Sequence, residues 1–595
     1  MLMSVPSSFA DGLTRRRFVT GLGAASGLLA ASGRPARAFS PSGIIPPTAS
    51  DMWNLSVGRT RIEVGGKALD APCLEGSVPG PILRWRQGDT ITLNIANRLA
   101  ETTSIHWHGI RLPSDMDGVP GLSFAGIPPG RTFSYRFRLH QSGTYWYHSH
   151  SGMQEAQGLY GAIVIDPARP DPNACDRDYV IVLAEWTDVP PHDIVSNLKM
   201  QDDYYVFRQR TAASFPREAR EAGGTMAALG SRLAWSKMRM AATDIADVTG
   251  VIYTYTLNGH APDMDWRGLF RPGERVRLRF INAATMTFFD VRIPGLEMQV
   301  VQADGNDVEP VAVDEFRIGV AETYDVIVRP REDRAYAIFA QSEDRTGHAR
   351  GTLAPRPGMT AATPSMDPRP VRTMIDMGMG DMSADSMDMA AMPKDGGHNA
   401  GSDMGSMDMS SGAMPGMATS PMEVDDPGPP PVNVENQNVA MMPVDRLGSP
   451  GDGLERNGRR VLNYRQLRAT RPGADPRPPS REIILHLTGN MERYIWGFNG
   501  RKFSESGPIR LKRGERVRFT LINDTMMEHP IHLHGLWSEL ENGQGDFRPY
   551  KHTIISQPGS KLSYLVTADS PGLWAYHCHL LYHMDLGMFR TVAVS

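Results

Sequence analysis

The sequence predicts an all-β protein, with three Greek-key β-sandwich domains in tandem and a disordered methionine-rich insertion before the third. The first observation is a repeat: turns at Gly88, Gly273 and Gly514 are each followed by alternating apolar and polar residues. Such alternation is typical of a half-buried β-strand, and three copies of one β-rich unit favour three sandwiches. The second observation is the length, because 595 residues suit roughly three or four domains.

Changes in composition divide the chain into five parts. A basic and apolar leader precedes the first repeat, and a stretch rich in Met, Gly, Ser and Asp separates the second repeat from the third. Apolar and charged residues at helical spacing open the second domain. The predicted parts are a signal peptide (1–38), a first β-domain (39–172), a second β-domain (173–355, with a helical insertion at about 203–248), a methionine-rich flexible segment (356–440) and a third β-domain (441–595).

The leader has the pattern of a twin-arginine export signal. Three arginines, Arg15 to Arg17, precede a weakly apolar run from Val19 to Ala31, and Ala36-Arg37-Ala38 offers a cleavage site. The apolar run is too short to span a bilayer. We therefore expect export by the twin-arginine route to a bacterial periplasm.

Charge and cysteine content exclude several classes of protein. The net charge is −4, which gives no basic footprint for nucleic acid and no polybasic membrane patch. We expect no stable membrane insertion, and a monomer. Three cysteines are too few for a disulfide framework; Cys73 and Cys175 either pair or stay reduced, and the sequence leaves both options open.

Histidine pairs follow the first and third repeats at matching distances. At offsets of 18 and 20 residues from Gly88 and from Gly514 stand two His-x-His pairs, and the same offsets from Gly273 reach Val291 and Ile293. A second set begins five residues after Gly143 and after Gly572. The four pairs are His106 and His108, His532 and His534, His148 and His150, and His577 and His579.

Strand alternation gives these pairs a common direction. Side chains at i and i+2 lie on one face of a strand, so His577 and His579 face one way and Cys578 the other. Cys578, His583, Met588 and one further imidazole would form a His₂Cys set with a weak thioether, which is the blue-copper arrangement. His529 supplies that imidazole, because it has opposite parity to His532. Eight converging imidazoles without a carboxylate also favour copper.

The motifs HWHG, HSH, HPIHLH and HCH-x₃-H-x₄-M, in this order, resemble the copper signatures of multicopper oxidases, which include laccases, ascorbate oxidase and bacterial cuprous oxidases. The resemblance implies three cupredoxin domains and four copper ions: one type 1, one type 2 and two type 3. It implies type 1 ligands His529, Cys578, His583 and Met588, type 2 ligands His106 and His532, and type 3 sets His108, His148, His579 and His150, His534, His577.

The resemblance also implies a reaction. Single electrons would enter at the type 1 copper, cross the Cys578–His577/His579 bridge and reduce O₂ to water. Asp117 matches the position of an acidic residue near the cluster in such proteins, although Asp117-Gly118 is also an ordinary turn pair. Many bacterial members of that family carry Glu directly after the His583 position, whereas this chain has Met584 followed by Asp585. Asp117 and Asp585 are the candidate proton-relay residues, and the second assignment is the weaker.

The methionine-rich segment bears on the substrate. Fourteen methionines lie between Met366 and Met422, among residues that cannot form a packed core. Soft thioethers select Cu(I), so we expect additional copper to bind there and Cu(I) to be oxidised to Cu(II) with O₂, for periplasmic copper tolerance. Three alternatives stay open: a low-complexity linker, a copper-sequestering protein, and a laccase that acts on phenols.

Overall fold

The computed structural model describes residues 44–45, 52–206, 209–379 and 422–595. The signal peptide predicted at 1–38 and the centre of the methionine-rich segment lie outside these residues. Within them the protein is predominantly β-sheet, and no described helix is both long and apolar enough to cross a membrane.

The first domain is a sandwich of two sheets. One sheet has the strand order β1-β4-β9-β8-β6 and the other β3-β2-β5-β7. The strands are β1 (Ile44–Ile45), β2 (Met52–Val64), β3 (Lys67–Leu74), β4 (Gly80–Arg86), β5 (Thr90–Asn97), β6 (His106–His108), β7 (Thr132–Arg138), β8 (Gly143–His148) and β9 (Tyr160–Asp166).

The second domain repeats this plan, with sheets β11-β10-β13-β18-β15-β16 and β12-β20-β19-β14-β17. The strands are β10 (Arg177–Trp186), β11 (Thr254–Leu257), β12 (Trp266–Leu269), β13 (Val276–Asn282), β14 (Phe289–Arg292), β15 (Met298–Ala303), β16 (Asn306–Val313), β17 (Glu315–Ile318), β18 (Thr323–Val328), β19 (Tyr336–Ser342) and β20 (His348–Ala354).

The third domain repeats it again, with sheets β21-β22-β25-β30-β27-β28 and β24-β32-β31-β26-β29, and β23 pairs with β22. The strands are β21 (Glu423–Asp425), β22 (Arg481–Asn490), β23 (Ile495–Phe498), β24 (Ile509–Leu511), β25 (Arg516–Asn523), β26 (His529–Leu533), β27 (Ser538–Leu540), β28 (Tyr550–Lys551), β29 (Thr553–Ser556), β30 (Lys561–Thr567), β31 (Gly572–Cys578) and β32 (Phe589–Val594).

The all-β prediction is confirmed, and the repeat has a structural basis. The alternating segments after Gly88, Gly273 and Gly514 form β5, β13 and β25, each an inner strand of one sheet. The alternation follows from the sandwich, since one face of each strand packs on the core; Ile91, Leu93 and Ile95 of β5 are buried.

Helices are few. Four are described, Pro191–Met200, Phe215–Glu221, Thr225–Lys237 and Leu581–Asp585. Two of them fall in the predicted helical insertion. Among their apolar residues Met226 is 77% and Leu233 is 55% exposed, whereas Ala219 is buried and Met238, at the C-terminal cap of the second of these helices, packs against the core.

The segment predicted to be flexible, 356–440, is described at both ends. Arg372 is buried, and its Nε donates to Asp452 at 3.0 Å. Met377 is also buried, and Met374 and Met379 pack against the core. Arg372 and Met377 thus join residues 356–379 to the core, and the flexibility expected of the whole segment stays a prediction. The domain boundaries themselves remain a prediction.

Candidate metal centres

Strand register brings the predicted histidines together in pairs. In the first domain β6 pairs with β8 and sets His106 opposite His148. In the third domain β26 pairs with β31 and sets His532 opposite His577. The corresponding strands of the second domain, β14 and β19, carry no histidine, as the repeat predicted.

The four pairs converge into one buried cluster between the first and third domains. His106 stacks on His534 with ring centroids 3.9 Å apart, and His108 stacks on His532 at 3.8 Å. Three trios each have one nitrogen per ring, all within 4.8 Å of one another. The trios are His106, His108 and His532; His108, His148 and His579; and His150, His534 and His577.

Six of the inward nitrogens of these rings have no hydrogen-bond partner. Buried atoms without a partner are rare, because each one costs free energy unless something binds it. The Nε2 atoms of His534 and His577 face each other at 3.0 Å. The unpartnered nitrogens are Nε2 of His106, His148, His150, His532 and His579, and Nδ1 of His108. Imidazole nitrogens in this arrangement fit metal ions such as copper.

The outward nitrogens are held by protein acceptors, which is the pattern of metal-binding histidines. Asp117 holds two rings: its carbonyl oxygen lies 2.8 Å from His106 Nδ1, and its Oδ2 lies 2.8 Å from His534 Nδ1. Residue 552 also holds two. His552 Nδ1 lies 3.1 Å from His108 Nε2, and its carbonyl oxygen lies 2.5 Å from His532 Nδ1.

A second centre lies on the other face of β31. Cys578 Sγ is 3.5 Å from His529 Nδ1 and 3.8 Å from His583 Nδ1, and these two nitrogens are 3.3 Å apart. Met588 is fully buried, and its backbone binds both neighbours: its N–H donates to His583 and its carbonyl accepts from the Cys578 N–H. The alternation argument thus correctly separates Cys578 from His577 and His579.

The outer nitrogens of this second centre are also bonded. Asp247 Oδ2, from the second domain, lies 2.7 Å from His583 Nε2 and accepts a hydrogen bond from Tyr494 at 2.7 Å. Thr525 Oγ1 lies 2.7 Å from His529 Nε2. Trp496 stacks on His583 with ring centroids 3.7 Å apart. Both imidazoles are therefore fully enclosed.

Burial governs the ionisation of the cluster. It lowers the pKa of His108, His148 and His579 well below the usual value, and neighbouring imidazoles lower it further. Neutral imidazole is the form that ligates a metal. Burial raises the pKa of the Cys578 thiol, so thiolate formation there requires a cation, which a bound metal supplies.

The two predicted proton-relay residues differ in position. Asp117 is buried between His106 and His534. Asp585 ends the helix Leu581–Asp585 near Lys199 and His192, and the structure shows no contact between its described side chain and the histidine cluster. The structure thus brings Asp117 to the cluster and does not bring Asp585 there.

Sequence reasoning missed three residues that contact the rings: Glu155, Asp247 and His552. No motif and no spacing in the sequence marks His552. Glu155 Oε2 lies 2.8 Å from His148 Nδ1, although nothing in the sequence near Glu155 resembles a metal motif. Cys73 and Cys175 are free, which answers the question that the sequence left open.

Comparison with known proteins identifies the family. Three family models, each described as multicopper oxidase, match residues 56–170, 177–357 and 476–595. Copper resistance protein A of Escherichia coli is 52% identical over 610 residues, covering 98% of this chain and 99% of the relative. Multicopper oxidase MmcO of Mycobacterium tuberculosis is 28% identical, covering 96% of this chain and 95% of its own.

The fold is also shared with solved structures. The crystal structure of Fet3p, a multicopper oxidase that functions in iron import, matches with a TM-score of 0.62 and 18% identity, covering 91% of this chain and 90% of that chain. With matches across all three β-domains and a relative more than half identical over nearly its whole length, the chain belongs to the multicopper oxidase family.

Proposed function

We propose that this oxidase holds four copper ions and uses them to oxidise Cu(I) with O₂. The observation that carries the proposal is the convergence of eight imidazoles on one face of the paired strands, with Cys578 on the other. The proposed type 1 ligands are His529, Cys578, His583 and Met588; the type 2 ligands are His106 and His532; and the type 3 sets are His108, His148, His579 and His150, His534, His577.

These residues would hold copper, which would supply one-electron redox chemistry, so that four electrons from a reductant and four protons convert one O₂ to two waters. The protein's own residues connect and shield the two centres. Cys578 is covalently continuous with His577 and His579, so one strand links both sites. Asp117 touches two rings and is the proposed proton carrier. Asp585, which lies near Lys199, stays a sequence-based proposal without a supporting contact.

Enclosure of His529 and His583 supports a small reductant over a bulky phenol. Both rings are fully buried, and their outer nitrogens are bonded to Thr525 and Asp247. An aromatic substrate could not contact either ring. Relatives named for copper resistance agree with Cu(I) as the substrate and with a role in copper tolerance.

Copper sequestration remains the second candidate. It is favoured by the nine methionines between 380 and 421, which lie outside the described residues. Storage alone would not require a cysteine site joined by one strand to a histidine cluster. We also propose a periplasmic location reached by the twin-arginine route, on the strength of the leader.

The first test is spectroscopic. The copper-loaded protein should contain about four coppers per chain and show a strong thiolate-to-copper absorption. Cys578→Ser should abolish that absorption and end cuprous oxidation, because it removes the thiolate ligand. It should remove only one copper, because the histidines on the other face of the strand are unchanged. A wild-type protein that binds only zinc, or no metal, would exclude the proposal.

The second test separates oxidation from sequestration. Residues 380–421 are replaced by a Gly/Ser chain of equal length, which leaves the buried Arg372 in place. If the methionines deliver Cu(I), cuprous oxidation at low copper should fall while the core retains its copper. A matched variant with all nine methionines changed to Leu conserves side-chain bulk and removes the thioethers. Unchanged cuprous oxidation in both variants would show that the thioethers do not deliver the substrate.

A further inference from the structure

Glu155 occupies an unusual place beside the histidine cluster. Its side chain is almost fully buried in the loop after β8. Oε2 lies 2.8 Å from His148 Nδ1, and Oε1 lies 3.9 Å from His579 Nδ1. His148 belongs to the first domain and His579 to the third, so one carboxyl group faces both sides of the domain junction.

The partners of Glu155 distinguish it from other buried acids. Several buried carboxylates elsewhere are paired with arginine, as Asp325 is with Arg277 and Glu539 with Arg516. Among the described residues Glu155 has no Lys or Arg partner, and its side chain meets only imidazoles. A buried acid is costly unless its oxygens are used. The burial of Glu155 therefore requires an explanation in the cluster.

His148 and His579 direct their Nε2 atoms toward the same candidate metal position. The Nε2 atoms of His148 and His579 are unpartnered, and with His108 they form one trio within 4.8 Å. A neutral imidazole donates from one nitrogen and accepts at the other. Glu155 lies within hydrogen-bond distance of His148 Nδ1 only, because Oε1 has no hydrogen-bond partner and is 3.9 Å from His579 Nδ1. A carboxylate that accepts from the His148 Nδ1–H and attracts the nearby His579 Nδ1–H leaves both Nε2 lone pairs free for the same metal ion.

We propose that Glu155 is a positioning residue of the cluster, which holds His148 and His579 in the tautomer and orientation that ligate one copper. The inference rests on the proposed copper ligands. Like Asp117 and His552, Glu155 lies between one ring of the first domain and one ring of the third. His148 Nδ1 also has the Ser149 carbonyl at 3.2 Å, so Glu155 is the closer of two acceptors at that nitrogen.

Glu155→Gln is the sharpest variant, because the amide has nearly the same shape. Its one oxygen can accept from one ring only, and its NH₂ group meets the other ring as a donor. A ring whose Nδ1 accepts from that NH₂ group carries its own proton on Nε2, which faces the metal position, and it ceases to be a ligand. We expect copper affinity at the cluster to fall by about 10- to 100-fold, with about one copper lost per chain and an electron paramagnetic resonance signal from its unpaired partner.

Two further variants complete the test. Glu155→Asp keeps both acceptor oxygens on a shorter side chain, so its copper content should lie between those of the wild type and Glu155→Gln. Glu185→Gln is the matched control: Glu185 is also buried with an unpartnered Oε2, yet its other oxygen binds Thr285 and Met286 rather than a histidine. The control should keep the wild-type copper content and spectrum.

The measurements are copper content, copper affinity and the resonance spectrum of purified full-length protein. Glu155→Gln protein with wild-type values of all three would overturn the proposal, whatever its activity. Equal copper loss in Glu155→Gln and Glu185→Gln would also overturn it. Failure of the proposed function is recognised separately, because the wild-type protein would then bind no copper at the cluster.

Discussion

At the scale of single residues, the cluster depends on acceptors that the histidines themselves do not reveal. Asp117 binds one ring by its backbone and another by its side chain. The sequence predicted Asp117 through motif position, but Glu155 and His552 could not be predicted. Their contacts with the rings depend on loop conformation, which no residue pattern in this sequence encodes.

Asp117→Asn tests whether this carboxylate supplies protons. The amide oxygen can still accept from His534 Nδ1, so copper content should hold, while the charge is lost. We expect kcat for O₂ reduction to fall by about 10- to 100-fold. Asp115→Asn is the control, because Asp115 is exposed in the same short turn. Equal activity of the two variants would count against a role for Asp117.

Asp247→Asn tests the hydrogen bond to His583. The carboxylate makes the imidazole a stronger donor to a metal ion, so its loss should raise the reduction potential of the cysteine-containing site. Redox titration of the thiolate absorption measures this shift. Asp193→Asn, on the exposed side of the helix Pro191–Met200, should leave the potential unchanged. A potential that is not raised in Asp247→Asn would contradict this account of Asp247.

At the scale of elements, the four His-x-His pairs were predictable because a strand has a period of two. Their offsets in the first and third repeats place them on β6, β8, β26 and β31, or directly after those strands. The helical insertion was less predictable: Met226 and Leu233 have helical spacing but face solvent. Periodicity indicates a helix, yet it does not determine which face is covered.

Gly535 shows how tightly β26 ends beside the cluster. Its φ is +66°, and a Cβ there would lie 2.3 Å from the Trp574 ring. Gly535→Ala should therefore lower the free energy of unfolding by about 2–4 kcal/mol, from left-handed backbone strain and overpacking. Gly507→Ala, which meets no atom within 4 Å, should change it by less than about 0.5 kcal/mol. Denaturant unfolding compares the two.

At the scale of the whole molecule, the buried imidazoles link stability to pH. Among the described residues, burial lowers the pKa of nine histidines in and beside the two candidate metal centres, to about 4 for His552 and about 3 for His577. The other seven are His108, His148, His150, His529, His532, His534 and His579. An unfolded chain takes up protons at these rings below about pH 6.5, whereas the folded metal-free protein does not.

The free energy of unfolding of the metal-free protein should therefore fall as the pH drops below about 6.5. Below its folded pKa each ring is protonated in both states and adds nothing further to this decrease. Each ring contributes up to about 1.4 kcal/mol per pH unit. Calorimetry of metal-free protein at pH 7.5, 6.5 and 5.5 should show a Tm that decreases at an increasing rate. A Tm that stays constant from pH 7.5 to 5.5 would contradict this burial of neutral imidazoles.

The joining of the first and third domains at the cluster also constrains biosynthesis. His106 and His579 belong to one pocket, yet nearly four-fifths of the chain emerges from the ribosome between the first and the last of these rings. No nascent intermediate can present a complete ligand set. Metal loading is thereby deferred until translation is nearly finished, and a prematurely terminated chain would expose only half a pocket.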